Sequence, residues 1–353
     1  MKKFLYKLLF YKKYKTILDI NKISKILVLR YDRIGDLIVT LPLIETIKSQ
    51  YPNINIDIVA SDINKDILYQ HPNINKIFIY NFRDKKNIFQ FIKVFKQLRK
   101  EKYDVVIDPF FNNHSRSAGH LRAINAKFNI GVEKKNKYGL SAKDFKLFYD
   151  FSTFDKTKHL LTNIINISKI LKINEENFIE KVTFPFYDED KKANFFLKNY
   201  IGKNIIIFNI QGSTIQRSFN DDFIIYFSQK LATNKNNQII LICMPNRRKK
   251  LEEMIKQGEC KNIITAKTKN IREAISLLKY SNLVISPDTS IVHGASNYSK
   301  TIISFYKNDD FNQTIFSPYK TEYKIFNYDN LFQLNKVDAD YIFKSIKEES
   351  FSI

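Results

Sequence analysis

Ile26-Leu27-Val28-Leu29-Arg30-Tyr31-Asp32-Arg33-Ile34-Gly35-Asp36-Leu37-Ile38-Val39-Thr40-Leu41-Pro42 is the stretch on which the reading of this chain turns. An apolar run without polar alternation suits a central strand of a parallel sheet, covered on both faces. A polar turn follows, and it contains the only glycine of the first hundred residues. The apolar pattern then resumes at helical spacing from about residue 36 to residue 50. Strand, tight loop and helix place Asp36 at or near a helix start, where backbone N–H groups and the helix dipole favour a carboxylate. In open α/β sheets ligands bind in the crevice at the carboxyl ends of the strands. Two roles therefore stand for Asp36, helix cap and reacting carboxylate.

Working outward, strands and helices alternate. Strands are expected at 54–60, 76–80, 105–108 and 129–132, with helices at 62–70, 86–102 and from the polar loop at 112–116 to about 126. The stretch 133–160 is polar, basic and aromatic without a clean period and reads as a loop. A helix near 157–172 leads to a linker at 173–185. A second series follows, with strands at 204–208, 238–243, 262–265, 283–286 and 301–305, and an amphipathic helix at 337–347. Such spacing means βαβ units and mostly parallel sheets. The expected organisation is an extension (1–22), a Rossmann-like domain (23–172), the linker, a second Rossmann-like domain (186–335) and a terminal helix (336–353) packing back on the first domain. The class is α/β, with two parallel-sheet domains facing across a cleft.

The 353 residues are 44% hydrophobic and 14% aromatic, enough for two substantial cores. A formal charge of +22 fits an anionic neighbour: nucleic acid, an acidic membrane surface or phosphorylated substrates. The aromatics are spread through expected cores and are not clustered with basic residues as a stacking platform, which disfavours nucleic acid. Residues 1–15 interleave lysines with Phe, Leu and Tyr. They lack the length of a spanning helix and the cleavage site of a signal peptide. They suit either an interfacial helix on an anionic leaflet or a helix packed on the protein itself. Cys243 and Cys260 have neither disulfide nor metal spacing, which points to a reducing compartment. The expected location is cytoplasmic, peripheral to the inner membrane.

The chain has no Gly-x-Gly-x-x-Gly, Walker-type loop, His-Glu-x-x-His or nucleophile elbow. The simplest dehydrogenase, NTPase, zinc-hydrolase and esterase readings fall away. What remains are strand-to-helix turns rich in small and polar residues. Gln211-Gly212-Ser213-Thr214, followed by Arg217, offers N–H groups, hydroxyls and a fixed positive charge to a phosphate. Ser286-Pro287-Asp288-Thr289-Ser290-Ile291-Val292-His293 runs a strand into a polar cap, with His293 one turn into the helix. The pairs Asp221-Asp222 and Asp309-Asp310 read as a helix cap and a loop, not as metal ligands.

Leu29-Arg30-Tyr31-Asp32-Arg33-Ile34-Gly35-Asp36 with Thr40-Leu41-Pro42 resembles the N-terminal motif of the bacterial heptosyltransferases, glycosyltransferase family nine. Ser286 to Ala295 resembles a motif of the same family's second half, and Asn209 to Thr214 with Arg217 and Phe219 a looser phosphate-loop motif. The resemblance implies a GT-B fold and inverting transfer of a sugar without a bound metal or other cofactor. It implies ADP-heptose as donor and a lipopolysaccharide core or lipid-linked glycan as acceptor. Asp36 would be the general base. Gly212, Ser213, Thr214, Arg217, Asp288, Thr289, Ser290 and His293 would bind the donor. Candidates for the acceptor side are Arg33, Asn113, His114, Arg116 and Arg122. The positive balance adds His120, Lys134, Lys135 and Lys137, with a solvated basic face as the competing role for each basic residue. Ser290 replaces the family's usual glycine, and Arg217-Ser218-Phe219-Asn220 its Lys/Arg-Trp-Pro run, which leaves a UDP- or GDP-hexose donor open. A non-catalytic basic binding protein for nucleic acid or membrane is the alternative of another class.

Overall fold

The structure, a computed structural model, describes residues 11–82, 88–111, 114–133, 147–258, 261–349 and 351, without the side chains of 114–116. The chain forms two compact units, Met1–Pro185 and Phe186–Ile353.

The first unit holds one parallel sheet of six strands: β1 (Lys25–Leu29), β2 (Asn55–Ala60), β3 (Lys76–Ile79), β4 (Val105–Asp108), β5 (Phe128–Glu133) and β6 (Asp150–Thr153). Their spatial order is β3-β2-β1-β4-β5-β6. Ile26 to Leu29 of β1 are fully buried between β2 and β4, as expected of so apolar a run. The helices are α1 (Ile34–Gln50), α2 (Ile88–Lys100), α3 (His114–Ile124) and α4 (Leu160–Ile170). Helix α1 is apolar nearly all round and buries every residue from Gly35 to Ile44, so it lies in the interior and not on a surface.

The second unit repeats the plan. Strands β7 (Asn204–Asn209), β8 (Asn237–Ile242), β9 (Ile263–Thr265), β10 (Leu283–Pro287), β11 (Thr301–Tyr306) and β12 (Tyr323–Asn327) lie in the order β12-β11-β10-β7-β8-β9. Its helices are α5 (Tyr187–Leu197), α6 (Asp221–Leu231), α7 (Pro245–Gln257), α8 (Ile271–Leu278), α9 (Ser290–Asn297), α10 (Asp310–Phe316) and α11 (Lys336–Glu348). Counted within its own unit, each sheet runs 3-2-1-4-5-6, the doubly wound order. The chain leaves the first strand toward one edge and resumes from the fourth toward the other. The crevice opens at the carboxyl ends of β1 and β4, and of β7 and β10.

Two expectations are corrected. The helix expected at 62–70 is a single 3-10 turn, Lys65–Leu68. The stretch 133–160 contains an edge strand, β6, and its residues 134–146 lie outside the described residues. The linker segment 173–185 packs on the first unit: Phe178, Val182 and Phe184 are buried, and the Ile179 N–H donates to Thr46 Oγ1 at 2.9 Å. The terminal helix α11 is part of the second unit. Ala339, Ile342 and Ile346 belong to the second unit's core, and α11 packs on α6 with Tyr226 Oη donating to Asp340 at 3.1 Å. An Asn335/Asp338 capping box starts it.

Candidate functional site

In the first unit, charged groups gather where β1 hands over to α1. The helix begins at Ile34 with Arg33 in the N-cap position, and Arg33 makes no side-chain capping bond. Asp36 is therefore the third residue of the helix, and the reading of it as a plain N-cap is corrected. It lies only 7% exposed. Burial, and then the Asp32 carboxylate, push its carboxyl up to about 7, while Arg30 and Arg33 pull the other way. A carboxyl so placed exchanges its proton near neutral pH, the range in which a general base works best.

Arg30 and Asp32 belong to the same arrangement, and neither was assigned a role from sequence. Arg30 is 1% exposed. Its Nε donates to Thr40 Oγ1 at 2.8 Å and its Nη1 to Asp32 Oδ2 at 3.2 Å, and its guanidinium lies 5.2 Å from the Phe110 ring. Thr40 Oγ1 in turn donates to the Asp36 carbonyl at 2.7 Å. A fixed positive charge is thus locked one helical turn from the carboxyl it restrains.

The acceptor-side residues fare unevenly. Arg33 is exposed at the mouth of the β1–α1 turn. Asn113, Lys134, Lys135 and Lys137 lie outside the described residues. His114 and Arg116 fall in the first turn of α3, at the same sheet edge as Asp36, with side chains outside the description. Arg122 is corrected: it sits in the last turn of α3, hence at the opposite edge, where its charge acts on Lys12. His120 is corrected as well. It is buried among Tyr31, Tyr80, Phe91 and Phe95, with Nδ1 2.7 Å from Tyr31 Oη.

The second unit builds a different site at its own switch point. After β7 the loop Gln211–Arg217 folds back on itself. The Gly212 N–H donates to Ser218 Oγ at 3.1 Å, and Ser218 Oγ donates to the Thr214 carbonyl at 2.8 Å. A Cβ at Gly212 would stand 2.3 Å from the Arg217 carbonyl oxygen, so only glycine permits the fold-back. Ser213 and Thr214 are exposed. From this loop the Arg217 guanidinium reaches across to β10, pairing with the Asp288 carboxylate and donating to the Asp288 carbonyl. Arg217 and Asp288 keep 31% and 19% side-chain exposure, so the pair is open to a ligand.

Thr289 is the N-cap of α9 and accepts from the Ile291 N–H at 3.3 Å, with Ser290 as the first helical residue. Asn209, not assigned from sequence, holds this turn: its Nδ2 donates to Ser286 Oγ at 2.9 Å and Thr289 Oγ1 at 3.1 Å. His293 is brought near but inward. It is 4% exposed, and its ring meets Phe316 edge to face. Asp221 pairs with Arg247 and Lys250, behind Asn220 as the true cap of α6, and Asp309 caps α10. Among the described residues no group of three potential ligands is spaced to hold a metal ion.

The model of glycosyltransferase family 9 (heptosyltransferase) matches residues 91–346. A protein of Escherichia coli (strain K12) that carries the provisional name lipopolysaccharide heptosyltransferase 4 is 26% identical over 239 residues, 66% of this chain and 61% of that protein. The match thus spans less than two thirds of the relative's length. The structure resembles the family 9 glycosyltransferase of Veillonella parvula DSM 2008 (TM-score 0.70, 18% identity, 92% of this chain and 89% of that one). It also resembles E. coli heptosyltransferase WaaC with ADP (0.69, 15%, 94% and 100%) and E. coli ADP-heptose heptosyltransferase II (0.68, 14%, 93% and 100%). At these identities the likeness gives the fold, which is GT-B. Asp36 precedes the span matched by the family model, whereas the loop at 211–217 and the turn at 286–293 fall within it. With nearly three quarters of its length matched, the chain belongs to glycosyltransferase family 9, the heptosyltransferase family.

Proposed function

We propose that this chain is an inverting, metal-independent glycosyltransferase that moves a heptose from ADP-heptose onto a lipopolysaccharide core or a related lipid-linked glycan. The observation that carries the reading is Asp36: a buried carboxyl at the carboxyl edge of the first sheet, with its proton affinity raised to about 7. The donor assignment draws on the E. coli structures that contain ADP and ADP-2-deoxy-2-fluoro heptose. The acceptor assignment draws on the name of the E. coli relative.

In this mechanism the acceptor hydroxyl attacks the anomeric carbon as Asp36 takes its proton. The bond from that carbon to the diphosphate oxygen breaks, its electron pair stays on the diphosphate, and the configuration inverts. Negative charge grows on the leaving group, and oriented N–H donors with a fixed cation stabilise it. The second unit supplies both, through Arg217, the Gly212–Thr214 loop and the first turn of α9. An arriving diphosphate competes with Asp288 for Arg217, and Asp288, with Thr289 and Ser290 beside it, turns to the sugar hydroxyls.

A thermal-shift panel of ADP-, UDP- and GDP-sugars tests the donor. ADP-heptose is expected to raise the melting temperature most, by mass action on the folded state. Stabilisation by a UDP- or GDP-hexose alone would replace the donor, and indifference to every nucleotide sugar would end the reading.

A further inference from the structure

Helix α2 carries an unusual outer face. Val94, Phe95 and Leu98 turn into the first unit's core. At about 100° per residue the arc away from them takes Phe89, Ile92, Lys93, Lys96, Arg99 and Lys100, with Ile88 at its border, and all are exposed. Phe89 is 81% exposed, Ile88 57% and Ile92 54%. The face is thus graded along the axis, with apolar side chains in the first turns and four cations in the last ones. The helix contains no acidic residue. Glu101 just beyond it is engaged by Lys25 and Lys76, and none of the ion pairs among the described residues uses Lys93, Lys96, Arg99 or Lys100.

The apolar end does not stand alone. The Asp62 N–H donates to Asn81 Oδ1 at 2.9 Å, and the Asn81 N–H reaches Gln90 Oε1 at 3.4 Å. These bonds tie the loop after β2 to the first turn of α2. Ile63, 45% exposed, sits in that loop. Ile63, Ile88, Phe89 and Ile92 thus gather at the carboxyl edge of the first sheet, the edge that also holds Asp36.

We propose that the outer face of α2, with Ile63, is a docking surface for an anionic lipid bilayer: Phe89, Ile88 and Ile92 enter the headgroup boundary while Lys93, Lys96, Arg99 and Lys100 lie against the phosphates. Apolar burial joined to attraction by negative headgroups is how interfacial helices bind. Charge selects this partner over a second copy of the chain. A twofold self-contact would bring eight cations and no acidic residue of the helix into one interface, in a chain of net charge +22. Docked in this way, α2 lies along the membrane plane, with its first turn at the carboxyl edge of the first sheet. The inference does not depend on the donor or on the proposed reaction.

Flotation of the full chain with phosphatidylcholine vesicles, with and without phosphatidylglycerol, tests it. Binding is expected only to vesicles containing the anionic lipid. The pairs Phe89→Ser/Ile92→Ser and Lys93→Glu/Lys96→Glu should each weaken it by about tenfold or more. Their melting temperatures should stay unchanged, since all four side chains are exposed. Three results would overturn the proposal: no vesicle binding by the unaltered chain; binding lost in Lys2→Glu/Lys3→Glu/Lys7→Glu but kept in both α2 pairs; or a dimer that becomes a monomer in Phe89→Ser/Ile92→Ser.

Discussion

The two sheets share one strand order, yet they place charge in opposite ways at equivalent points. After β1 the first unit buries its groups: Arg30 is 1% exposed and Asp36 7%, in and beside a helix apolar on every side. After β7 and β10 the second unit leaves Arg217 and Asp288 partly open and paired with each other. Burial perturbs proton affinity, which suits a group that must exchange a proton. Partial exposure keeps a cation accessible and exchangeable, which suits a group that must receive and release an anion. On the proposed reading, one topology serves reactivity in one unit and binding in the other.

Asp36→Asn should produce the largest change. Turnover is expected to fall by roughly 10²–10⁴-fold, the usual contribution of a general base, with ADP affinity intact. The same variant should be more stable than the parent at pH 8. A carboxyl whose folded pKa is raised binds protons that the unfolded chain has released. Its presence therefore lowers stability as pH rises from about 4 to about 7, with no further loss above that. Thermal melts across this range should show the slope in the parent and its absence in the variant. Near-normal turnover would make Asp36 a packing residue and erase the contrast between the units.

Arg217→Met should come next, weakening ADP binding by roughly 10–100-fold through loss of charge-assisted hydrogen bonds. Asp288→Asn sharpens this prediction. If the carboxylate competes with the diphosphate, calorimetry will show ADP affinity equal to the parent's or higher. A loss as large as that of Arg217→Met would mean that Asp288 instead orients the arginine for its ligand. The smallest effect is expected at Gly212. Alanine there forces the loop off the Arg217 carbonyl, costing about 1–3 kcal/mol of stability by denaturant unfolding, together with a modest loss of ADP affinity.

What could be read from the sequence follows the strength of local signals. Unbroken apolar runs such as Ile26 to Leu29 and Leu283 to Ile285 announce buried parallel strands, and both units were legible from them. Strands β6 and β12 were missed because they lie at sheet edges and are half exposed, which leaves no run to see. Helix α5 buries only Ala193 and Leu197, so its periodicity is faint.

At the candidate sites, residue type and pattern placed Asp36, Arg217, Asp288 and Thr289 at strand-to-helix turns, where the structure has them. Polarity alone misled at His120, although Ser117, Leu121 and Ile124 bracket it at helical spacing on a buried face. Arg30 was hidden for a physical reason. A charged residue at a strand end reads as a turn residue, and its burial depends on Thr40 and Phe110 from other elements. The same holds for Asn209, whose partners Ser286 and Thr289 come from β10 and the turn beyond it.

The contrast between the units rests on a proton held at one named carboxyl, and the pH dependence of kcat/KM for transfer reads that proton in the free enzyme. The rate should fall on the acid side through a single ionisation near pH 7, and that limb should be missing from the residual rate of Asp36→Asn. A profile that is flat from about pH 5 to 9, or an acid limb that survives in the variant, would contradict the assignment of the base.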